Sequence, residues 1–441
     1  MVNSKRQKFI LNKTASVPFG IFTTLMQQFL YTLSIHLLRF CFILAAPFHQ
    51  KARQFVAGRK NIFQELALAF SQRGATKLVW VHCASLGEFE QGRPLIESFK
   101  TNYPSIKILL TFFSPSGFEV QKKYTAADFI FYLPWDTPSQ AKKFVSITKP
   151  DLAIFIKYEF WYHYTFFLKK SGAHIISASC LLRPGQIFFK SYGGLFRKLL
   201  QNFDLFFTQD SETKKLLATI GINNTKVAGD TRFDRVMEII KNSNEIEQAR
   251  KFKNEQKLFV IGSCWPEDFE ALAPFIHENA NNLKFIIAPH EISDSFIREI
   301  EKSLQVKYAR FSEQKSDIEE YTVLIIDNIG MLSRLYKYGE FAFVGGAFGK
   351  GLHNILEAAC YGIPVFFGNR NYYKYKEAND LIMRGGAFDV SGYTELKAKY
   401  ELMIDRPENF LLACEVTRSY VEENLGATKK IMDYCIPILS K

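Results

Sequence analysis

The residues best suited to chemistry lie in a short turn, Ser85-Leu86-Gly87-Glu88, that follows an apolar stretch. Leu78–Ala84 has the pattern of a buried strand, and beyond the turn apolar residues recur at helical spacing through Leu95–Phe99. A turn from a parallel strand into a helix lies at the carboxyl edge of a sheet, where open α/β proteins bind their ligands. The carboxylate of Glu88 is therefore placed where it could act on a bound molecule.

The same turn also has a purely structural interpretation. Ser85-x-x-Glu88 has the spacing of a capping box, in which the serine side chain accepts from the amide of Glu88 and Glu88 accepts from the amide of Ser85. A carboxylate held in that way would be a weaker base, because the positive potential at a helix N-terminus lowers its pKa. If the turn is catalytic, we expect Glu88 to point into a cleft rather than to close the box.

A second carboxylate, Glu159, follows the apolar run Leu152–Ile156 and belongs to the same predicted edge as Glu88. Two carboxylates that face a cleft can divide acid–base chemistry and positioning between them. The structural alternative is a surface glutamate beside a packed Trp161.

Glycine-rich turns mark the second half of the chain. Gly345 and Gly346 follow an apolar run, and Asn354 and Glu357 lie at the start of the next helical pattern. Glycines let a backbone approach a phosphate, the helix N-terminus supplies free amides, and Glu357 could accept from ribose hydroxyls. The spacing is not the G-x-G-x-x-G of dinucleotide-binding proteins, and a tight turn is the alternative.

Two further turns repeat this arrangement. Ser263 follows the run Leu258–Gly262, where it could bind a phosphate or cap the helix that begins at Pro266, and His290 ends the next strand-like run. Small-residue turns on one predicted edge describe a nucleotide pocket. No two aspartates lie two positions apart in the sequence, so an Asp-x-Asp motif for a metal–nucleotide complex is absent.

Strand-like runs alternate with helical patterns in two series, which predicts an α/β protein with two mostly parallel sheets. The runs are 78–84, 106–112, 129–133, 152–156, 174–178 and 205–208, and then 258–262, 284–288, 322–326, 341–344 and 364–367. The predicted division is a leader that is untranslated or disordered (1–25), a membrane anchor (26–50), an N-terminal domain (51–230), an interdomain connection (231–256), a C-terminal domain (257–424) and a C-terminal helix that could cross back to the first domain (425–441). Translation would begin at Met1 or at Met26.

The composition indicates an anionic partner in a reducing compartment. The formal net charge is +12, and the basic residues are scattered in pairs rather than in a long arm, which favours a membrane or small anions over nucleic acid. The chain has seven widely separated cysteines, a pattern that argues against a disulfide framework or a zinc site.

An apolar segment near the N-terminus predicts a membrane anchor. Phe29–Phe48 is just long enough to span a bilayer, but Arg39 within it favours a tilted, peripheral or weak span. Basic residues follow at once from Lys51 to Lys60, which favours a cytoplasmic location for the body of the protein. A buried core helix is the alternative.

These motifs, taken in order, resemble the 3-deoxy-D-manno-octulosonic acid (Kdo) transferase family over about residues 26 to 436. The matching segments are Ser85-Leu86-Gly87-Glu88, Tyr132-Leu133-Pro134-Trp135-Asp136, Tyr158-Glu159-Phe160-Trp161, Gly229-Asp230-Thr231-Arg232-Phe233-Asp234, Gly262-Ser263-x-Trp265-Pro266, and Phe343-Val344-Gly345-Gly346 through His353-Asn354-x-Leu356-Glu357-Ala358-Ala359. The resemblance implies a GT-B glycosyltransferase, in which two Rossmann-like domains face each other across a cleft. The first would hold the acceptor and the second CMP-Kdo.

The resemblance also implies an inverting reaction without metal or other cofactor, in which Kdo passes from CMP-Kdo to the lipid A precursor at the cytoplasmic face of the inner membrane. Glu88 would be the general base and Glu159 a second essential carboxylate. The implied donor contacts are Ser263, His290, Gly345, Gly346, Asn354, Glu357 and Arg232. The implied acceptor contacts are Ser85, Gly87 and Arg183.

Some positions depart from the family pattern. Ala288-Pro289-His290 stands where the family often has Pro-Arg-His, Lys157 replaces a frequent Glu, and Leu181 replaces a frequent Arg. These concern donor and acceptor contacts rather than the class of reaction. Two rival interpretations are another GT-B enzyme that uses a UDP-sugar, as a lipid-linked transferase or an epimerase, and a non-catalytic membrane protein that binds anionic lipid.

Overall fold

The computed structural model describes residues 19–241 and 244–440, with side chains from residue 25 onward. It contains two compact units, one formed by the described residues up to Ala228 together with those from Ile431, and one formed by Gly229–Lys430. Each unit is built on a seven-stranded parallel sheet with helices between the strands. The predicted α/β class, a GT-B fold with two Rossmann-like domains, is confirmed.

The first unit has the strand order β3-β2-β1-β4-β5-β6-β7. Its strands are β1 (Leu78–Cys83), β2 (Lys107–Phe112), β3 (Phe129–Tyr132), β4 (Leu152–Ile156), β5 (His174–Cys180), β6 (Leu205–Thr208) and β7 (Thr225–Val227). Its helices are α1 (Phe19–Ala45), α2 (Gln50–Ala57), α3 (Ile62–Phe70), α4 (Leu86–Asn102), α5 (Pro115–Gln121), α6 (Pro138–Thr148), α7 (Tyr162–Ser171), α8 (Gly194–Leu200) and α9 (Ser211–Thr219). The central strands are buried on both faces, which is why they read as continuous apolar runs.

The second unit has the strand order β10-β11-β9-β8-β12-β13-β14. Its strands are β8 (Lys257–Cys264), β9 (Leu283–Pro289), β10 (Tyr308–Arg310), β11 (Val323–Ile325), β12 (Phe341–Val344), β13 (Val365–Gly368) and β14 (Ala387–Val390). Its helices are α10 (Thr231–Lys241), α11 (Glu247–Lys253), α12 (Pro266–Asn279), α13 (Asp294–Ser303), α14 (Leu332–Leu335), α15 (Leu356–Ala359), α16 (Lys376–Arg384), α17 (Tyr393–Asp405) and α18 (Pro407–Glu423). The last helix, α19 (Ala427–Leu439), begins in this unit and ends in the first.

The segment 231–256 is more than a connection between domains. It forms α10 and α11, whose residues Phe233, Val236, Ala249 and Phe252 are buried in the core of the second unit. The many charged residues around them hid this apolar face in the sequence.

The described part of the chain begins with a helix and has a helix as its last element. Residues 1–18 of the predicted leader lie outside the described residues, and α1 begins at Phe19. Within α1, Leu25–Ala45 is long and apolar enough to cross a bilayer, as core helices and signal sequences also are. Only 6% of its most apolar 18-residue stretch is buried in the protein. At the other end the hydroxyl of Tyr434 lies 2.8 Å from Nε2 of His174 in the first unit.

Candidate functional site

The strand orders place the predicted turns at the switch point of each sheet. In the first unit β1 lies between β2 and β4, so the order reverses between β1 and β4. Glu88 follows β1 and Glu159 follows β4. In the second unit the order reverses between β8 and β12, and Ser263 and Gly345 lie at the ends of these strands. Open α/β sheets bind ligands at such a reversal, because the neighbouring loops diverge there and leave a crevice.

Glu88 is held at the N-terminus of α4 by the residue that precedes the helix. Its Oε2 accepts from the amide of Ser85 at 2.9 Å and from the Ser85 hydroxyl at 3.1 Å. The expectation that Glu88 points away from the box is therefore wrong for this structure, because its carboxylate accepts from the amide as a capping box requires. Gly87, beside it, is exposed and has open space around it, so a ligand could approach the backbone there.

The electrostatic consequence also differs from the expectation. Burial raises the pKa of Glu88, and the opposing effects of Lys157 and of hydrogen bonds from Ser85 and Ala84 do not cancel it. The carboxylate is only 8% exposed, so desolvation outweighs the helix N-terminus. Glu88 is thus a stronger base than an ordinary glutamate.

Glu159 lies close enough to Glu88 for the two charges to interact. Burial, followed by the charge of Glu88, raises the pKa of Glu159 to about 8, against smaller lowering effects from Trp161 and Lys157. Two neighbouring carboxylates in a desolvated place cannot both ionise at low cost. With a pKa of about 8, Glu159 holds its proton at neutral pH, and its neutral form removes the repulsion between the two groups.

A buried histidine supports Glu159 from within the sheet. His82 on β1 is fully buried, its Nδ1 lies 2.8 Å from Oγ1 of Thr111, and its Nε2 accepts from the indole of Trp161 at 3.2 Å. The same Nε2 lies 3.9 Å from Oε2 of Glu159. Burial lowers the pKa of His82 to about 3, so the ring is neutral. Sequence analysis missed His82, although a histidine inside an apolar strand run was the available signal.

Arg183, the other predicted acceptor contact, lies near Tyr158 on this edge. Arg183 is exposed, its amide donates to Oε1 of Gln186 at 2.9 Å, and its charge lowers the pKa of Tyr158. Burial and the charges of Glu88 and Glu159 raise that same pKa overall. Arg183 therefore contributes to the electrostatic surroundings of Tyr158, beside the carboxylate pair.

Both switch-point edges contain a strained residue that is not glycine. Lys157, after β4, has φ 59°, and Ser263, near the end of β8, has φ 51°. Such left-handed conformations cost free energy and concentrate at functional sites. Ser263 does not cap α12, because the residue before that helix is Trp265, whose amide donates to Asp268 at 3.0 Å.

Asp268 joins two loops of the second unit. Its Oδ2 accepts from the amides of Trp265 and of Gly346, the latter at 2.8 Å, while its buried Oδ1 has no hydrogen-bond partner. Burial raises the pKa of Asp268 to about 6. The amide of Gly345 donates to Gly262. The amides of both glycines are thus hydrogen-bonded within the second unit in this structure.

The glycines instead allow close packing. A Cβ on Gly345 would lie 2.3 Å from the carbonyl oxygen of Ser263, and one on Gly346, where φ is +96°, would lie 2.4 Å from that of Gly351. The turn after the apolar run 341–344 lies where the sequence predicted it, and the binding of a nucleotide there stays a prediction.

Three rings form a stack beside these glycines. The centroids of Trp265 and His290 are 4.4 Å apart, and those of His290 and His353 are 4.3 Å apart. The indole of Trp265 donates to Nε2 of His353 at 3.0 Å. Burial lowers the pKa of both histidines, that of His353 to about 4, so the cluster is neutral at physiological pH. A neutral ring surface suits a planar base or a sugar ring more than a lone phosphate.

The remaining predicted donor residues occupy two places. Asn354 donates to Glu357 at 3.2 Å, which leaves both at the start of α15 as expected. Arg232 is paired with two carboxylates, Asp230 at 2.8 Å and Glu377 at 2.9 Å, and these raise its pKa. A guanidinium that is paired with two carboxylates is not a free phosphate ligand. Neither ion pair links Arg232 to the ring stack.

A cavity of about 680 Å³ opens at the opposite, amino edge of the first sheet. Its lining includes Lys77, Lys149, Asp151 and Lys170. α6 and α7 end there, and helix C-termini favour cations such as these lysines. Within residues 19–241 and 244–440, no group of three or more histidine, cysteine or acidic side chains is placed to hold a metal ion.

Known proteins resemble this chain in sequence. A sequence model of the family described as 3-Deoxy-D-manno-octulosonic-acid transferase (kdotransferase) matches residues 60–235. The 3-deoxy-D-manno-octulosonic acid transferase of Aquifex aeolicus is 30% identical over 334 residues, which are 73% of this chain and 84% of the relative. The enzyme of the same name from Chlamydophila psittaci is 26% identical over 373 residues, which are 81% of this chain and 84% of the relative.

Solved structures share the fold at lower identity. UDP-GlcNAc 2-epimerase from Neisseria meningitidis has a TM-score of 0.59 and 15% identity, and the match covers 82% of this chain and all of that one. The UDP complex of S. aureus MnaA has a TM-score of 0.56 and 13% identity, with 83% and 98% covered. At such identities the likeness concerns the arrangement of strands and helices.

Proposed function

Because the chain belongs to the 3-deoxy-D-manno-octulosonic acid (Kdo) transferase family, we propose that it transfers Kdo from CMP-Kdo to the lipid A precursor, lipid IVA, during lipopolysaccharide core biosynthesis. Its membership makes it a Kdo-transferring glycosyltransferase. The proposal adds the donor, the acceptor and inversion at the anomeric carbon.

The observation that carries the proposal is the pair of unequal carboxylates in the first unit. Glu88 takes the proton of an acceptor hydroxyl as that oxygen attacks the anomeric carbon of Kdo. The bond from that carbon to the phosphate oxygen of CMP breaks, and CMP leaves with the electron pair. A single displacement of this kind inverts the anomeric centre. The desolvated Glu88 suits this role because burial raises its pKa towards the operating pH.

The bond from the Ser85 hydroxyl to Glu88 is consistent with a resting state of the base. That hydroxyl lies 3.1 Å from Oε2, a distance at which a substrate hydroxyl could take its place. The amide of Ser85 can remain bonded during the exchange and hold the carboxylate in position. The capping arrangement and the catalytic role are therefore compatible.

Glu159 supports the reaction as a neutral carboxylic acid. Its pKa of about 8 means that it keeps a proton at neutral pH. It can then donate a hydrogen bond to the acceptor sugar without adding a second negative charge. His82 and Trp161 fix its surroundings, and they act as positioning residues.

The second unit is the proposed donor-binding unit. Ser263, Asn354 and Glu357 lie at the carboxyl edge of its sheet or on the turn beyond it, where nucleotides bind in this class of sheet. The stacked rings of Trp265, His290 and His353 form the neutral surface that would face the base or the sugar of the donor. We assign Arg232 to holding α10 and α16 together through its two carboxylates.

The proposed setting is the cytoplasmic face of the inner membrane. The apolar helix α1 and the net charge of +12 suit contact with anionic lipid, and no basic arm suited to nucleic acid is present in the sequence. We propose that neither a metal nor an organic cofactor takes part, because the sequence has no Asp-x-Asp motif. A chelator should then leave the rate unchanged.

Incubation of the purified full chain with lipid IVA and CMP-Kdo, generated in situ, tests the proposal. We expect the acceptor mass to rise by whole Kdo units. Glu88→Gln should lower the rate by about 100-fold or more, which is the usual contribution of a general base. Glu90→Gln, a matched change on the same helix, should retain activity. An unchanged acceptor mass, or transfer from a UDP-sugar instead, would contradict the proposal.

A further inference from the structure

One face of α1 is docked on the first unit along most of the apolar segment. The hydroxyl of Tyr31 donates to Oδ2 of Asp136 at 2.6 Å, and the hydroxyl of Thr32 lies 3.0 Å from Nε2 of His163. Farther along, Ile35 is buried.

The docking extends to the end of the helix. The ring of Phe42 stacks on that of Phe55 with centroids 4.1 Å apart, and Gln28, at the other end, donates to Tyr162. From residue 28 to residue 42 the contacts cover about 21 Å of helix.

The opposite face of α1 is exposed and apolar. Its six residues, each between 49% and 60% exposed, are Met26, Leu30, Leu33, Leu37, Phe40 and Leu44. Their spacing of three and four residues makes one continuous stripe. The helix therefore has a docked face that includes polar groups and a free stripe of six residues that has none.

This arrangement is incompatible with a helix that crosses the bilayer in the docked state. The buried Asp136 also accepts from the amides of His163 and Tyr164, so the contacts of Tyr31 belong to the folded polar edge of the sheet. A crossing helix would carry that edge into hydrocarbon, where such irregular backbone is not tolerated facing lipid.

We propose that α1 lies in the plane of one leaflet, with its free stripe buried in the lipid and its docked face on the protein. The proposed partner is an anionic bilayer surface. No acidic residue occurs from Leu25 to Lys60, while Lys51, Arg53 and Lys60 are exposed just beyond the stripe. Phe48, which is 91% exposed in the turn after α1, adds an apolar anchor.

The geometry also favours lipid over a second copy of the chain. Two copies paired through this stripe would bring their basic segments together without an acidic partner among these residues. The inference rests on the membrane association proposed above, but its test requires no sugar transfer. A failure of the proposed orientation of α1 can therefore be distinguished from a failure of the proposed Kdo transfer.

Depth measurement tests the proposal directly. Single cysteines at Leu30, Leu37 and Leu44, seven residues apart on the free stripe, carry a fluorophore in a Cys41→Ala, Cys414→Ser background. The protein is bound to vesicles of phosphatidylethanolamine and phosphatidylglycerol that contain quenchers at known depths. We expect equal, shallow depths at all three positions. A deep position 37 between shallow positions 30 and 44, which a crossing helix would separate by about 21 Å along the normal, overturns the proposal.

A second measurement tests the same proposal without cysteine labels. Leu30→Glu with Leu37→Glu should reduce vesicle binding by at least about tenfold, because each change removes a leucine from lipid. Leu411→Glu, at an equally exposed leucine on α18, is the matched control and should bind as the parent chain does. Unchanged binding of the double variant, or loss of self-association in place of vesicle binding, overturns the proposal.

Discussion

The indole nitrogen of Trp161 donates to Nε2 of His82 across 3.2 Å, and the same Nε2 lies 3.9 Å from the carboxyl of Glu159. The acceptor role at Nε2 leaves the ring proton on Nδ1, which faces Thr111. Because the indole N–H of Trp161 donates to neutral His82, its hydrogen bond to Glu159 is weaker than it would be without this histidine. The balance of these contacts helps to keep Glu159 protonated.

Replacement of His82 should therefore alter the pH profile. In His82→Leu the indole of Trp161 loses its acceptor and turns to Glu159, where its bond stabilises the charged form and lowers the pKa. The rate that depends on protonated Glu159 should then fall at a lower pH than in the parent chain. The measurement is kcat/KM against pH, with His174→Gln as a control in the same unit. If the alkaline limb of the kcat/KM profile stays at the same pH, His82 does not have this positioning role.

Glu159→Gln should stabilise the protein at alkaline pH. The unfolded carboxyl ionises near 4.5 and the folded one near 8, so stability falls as pH rises between these values. The amide cannot ionise, and the gain should be on the order of 3 kcal/mol at pH 9 and small at pH 5. Chemical denaturation at both pH values measures it. A gain of equal size at both would show that the charge is not the cause.

Asp268→Ala should weaken nucleotide binding more than turnover. The change removes the acceptor of the Trp265 and Gly346 amides, at a cost of about 3 kcal/mol, and loosens the turn beside the ring stack. Asp268→Asn should be milder, because one carbonyl oxygen can serve both amides. Calorimetry with CMP and the KM for the donor report the effect. Glu267→Ala, next to it on α12, is the control, and an equal loss there would contradict the assignment.

Two glycines of one turn should differ sharply. Gly346→Ala places a Cβ 2.4 Å from the carbonyl oxygen of Gly351 at a φ of +96°, and we expect little folded protein. At Gly349 the nearest atom to a Cβ is the Glu267 carboxylate at 3.4 Å, an ordinary contact, so Gly349→Ala should fold normally. Soluble yield and melting temperature measure both. Equal tolerance would mean that the turn can rearrange.

Tyr31→Phe should loosen α1 in a pH-dependent way. Burial raises the pKa of Asp136 to about 6, and the hydroxyl of Tyr31 is one of the donors that oppose this rise. Its loss should raise that pKa further and cost about 1–2 kcal/mol, more at pH 8, where the carboxylate must be charged, than at pH 5. Melting temperatures in detergent compare it with Tyr192→Phe. A cost that does not depend on pH would assign the effect to packing alone.

The sequence predicted the features that depend on local pattern. Buried strands such as Leu152–Ile156 are continuous apolar runs, and the turns after them follow from the direction of parallel strands. β7, β10 and β14 escaped because they are short strands at the sheet edges that are only partly buried, so they lack a continuous apolar run. Segment 231–256 escaped because charged neighbours conceal its buried face.

The contacts of the site could not be predicted in this way. Asp268 bonds to Gly346, 78 residues away, and Trp161 to His82, 79 residues away. No local spacing reports such pairs. The sign of the pKa shift at Glu88 likewise depends on how deeply the folded chain buries it, whereas the sequence shows only the helix terminus.

Because the end of α19 belongs to the first unit, this unit cannot complete its folding until α19 has been synthesised. Ile431 and Cys435 are fully buried, and Tyr434 contacts His174 on β5 and packs edge-on against Phe207 on β6. These residues leave the ribosome only after the whole of the second unit, although chains generally fold from the N-terminus as they emerge. The first unit therefore waits, with this surface uncovered, until α19 has been synthesised, and a chain truncated before Ile431 would leave the surface permanently open to chaperones and proteases.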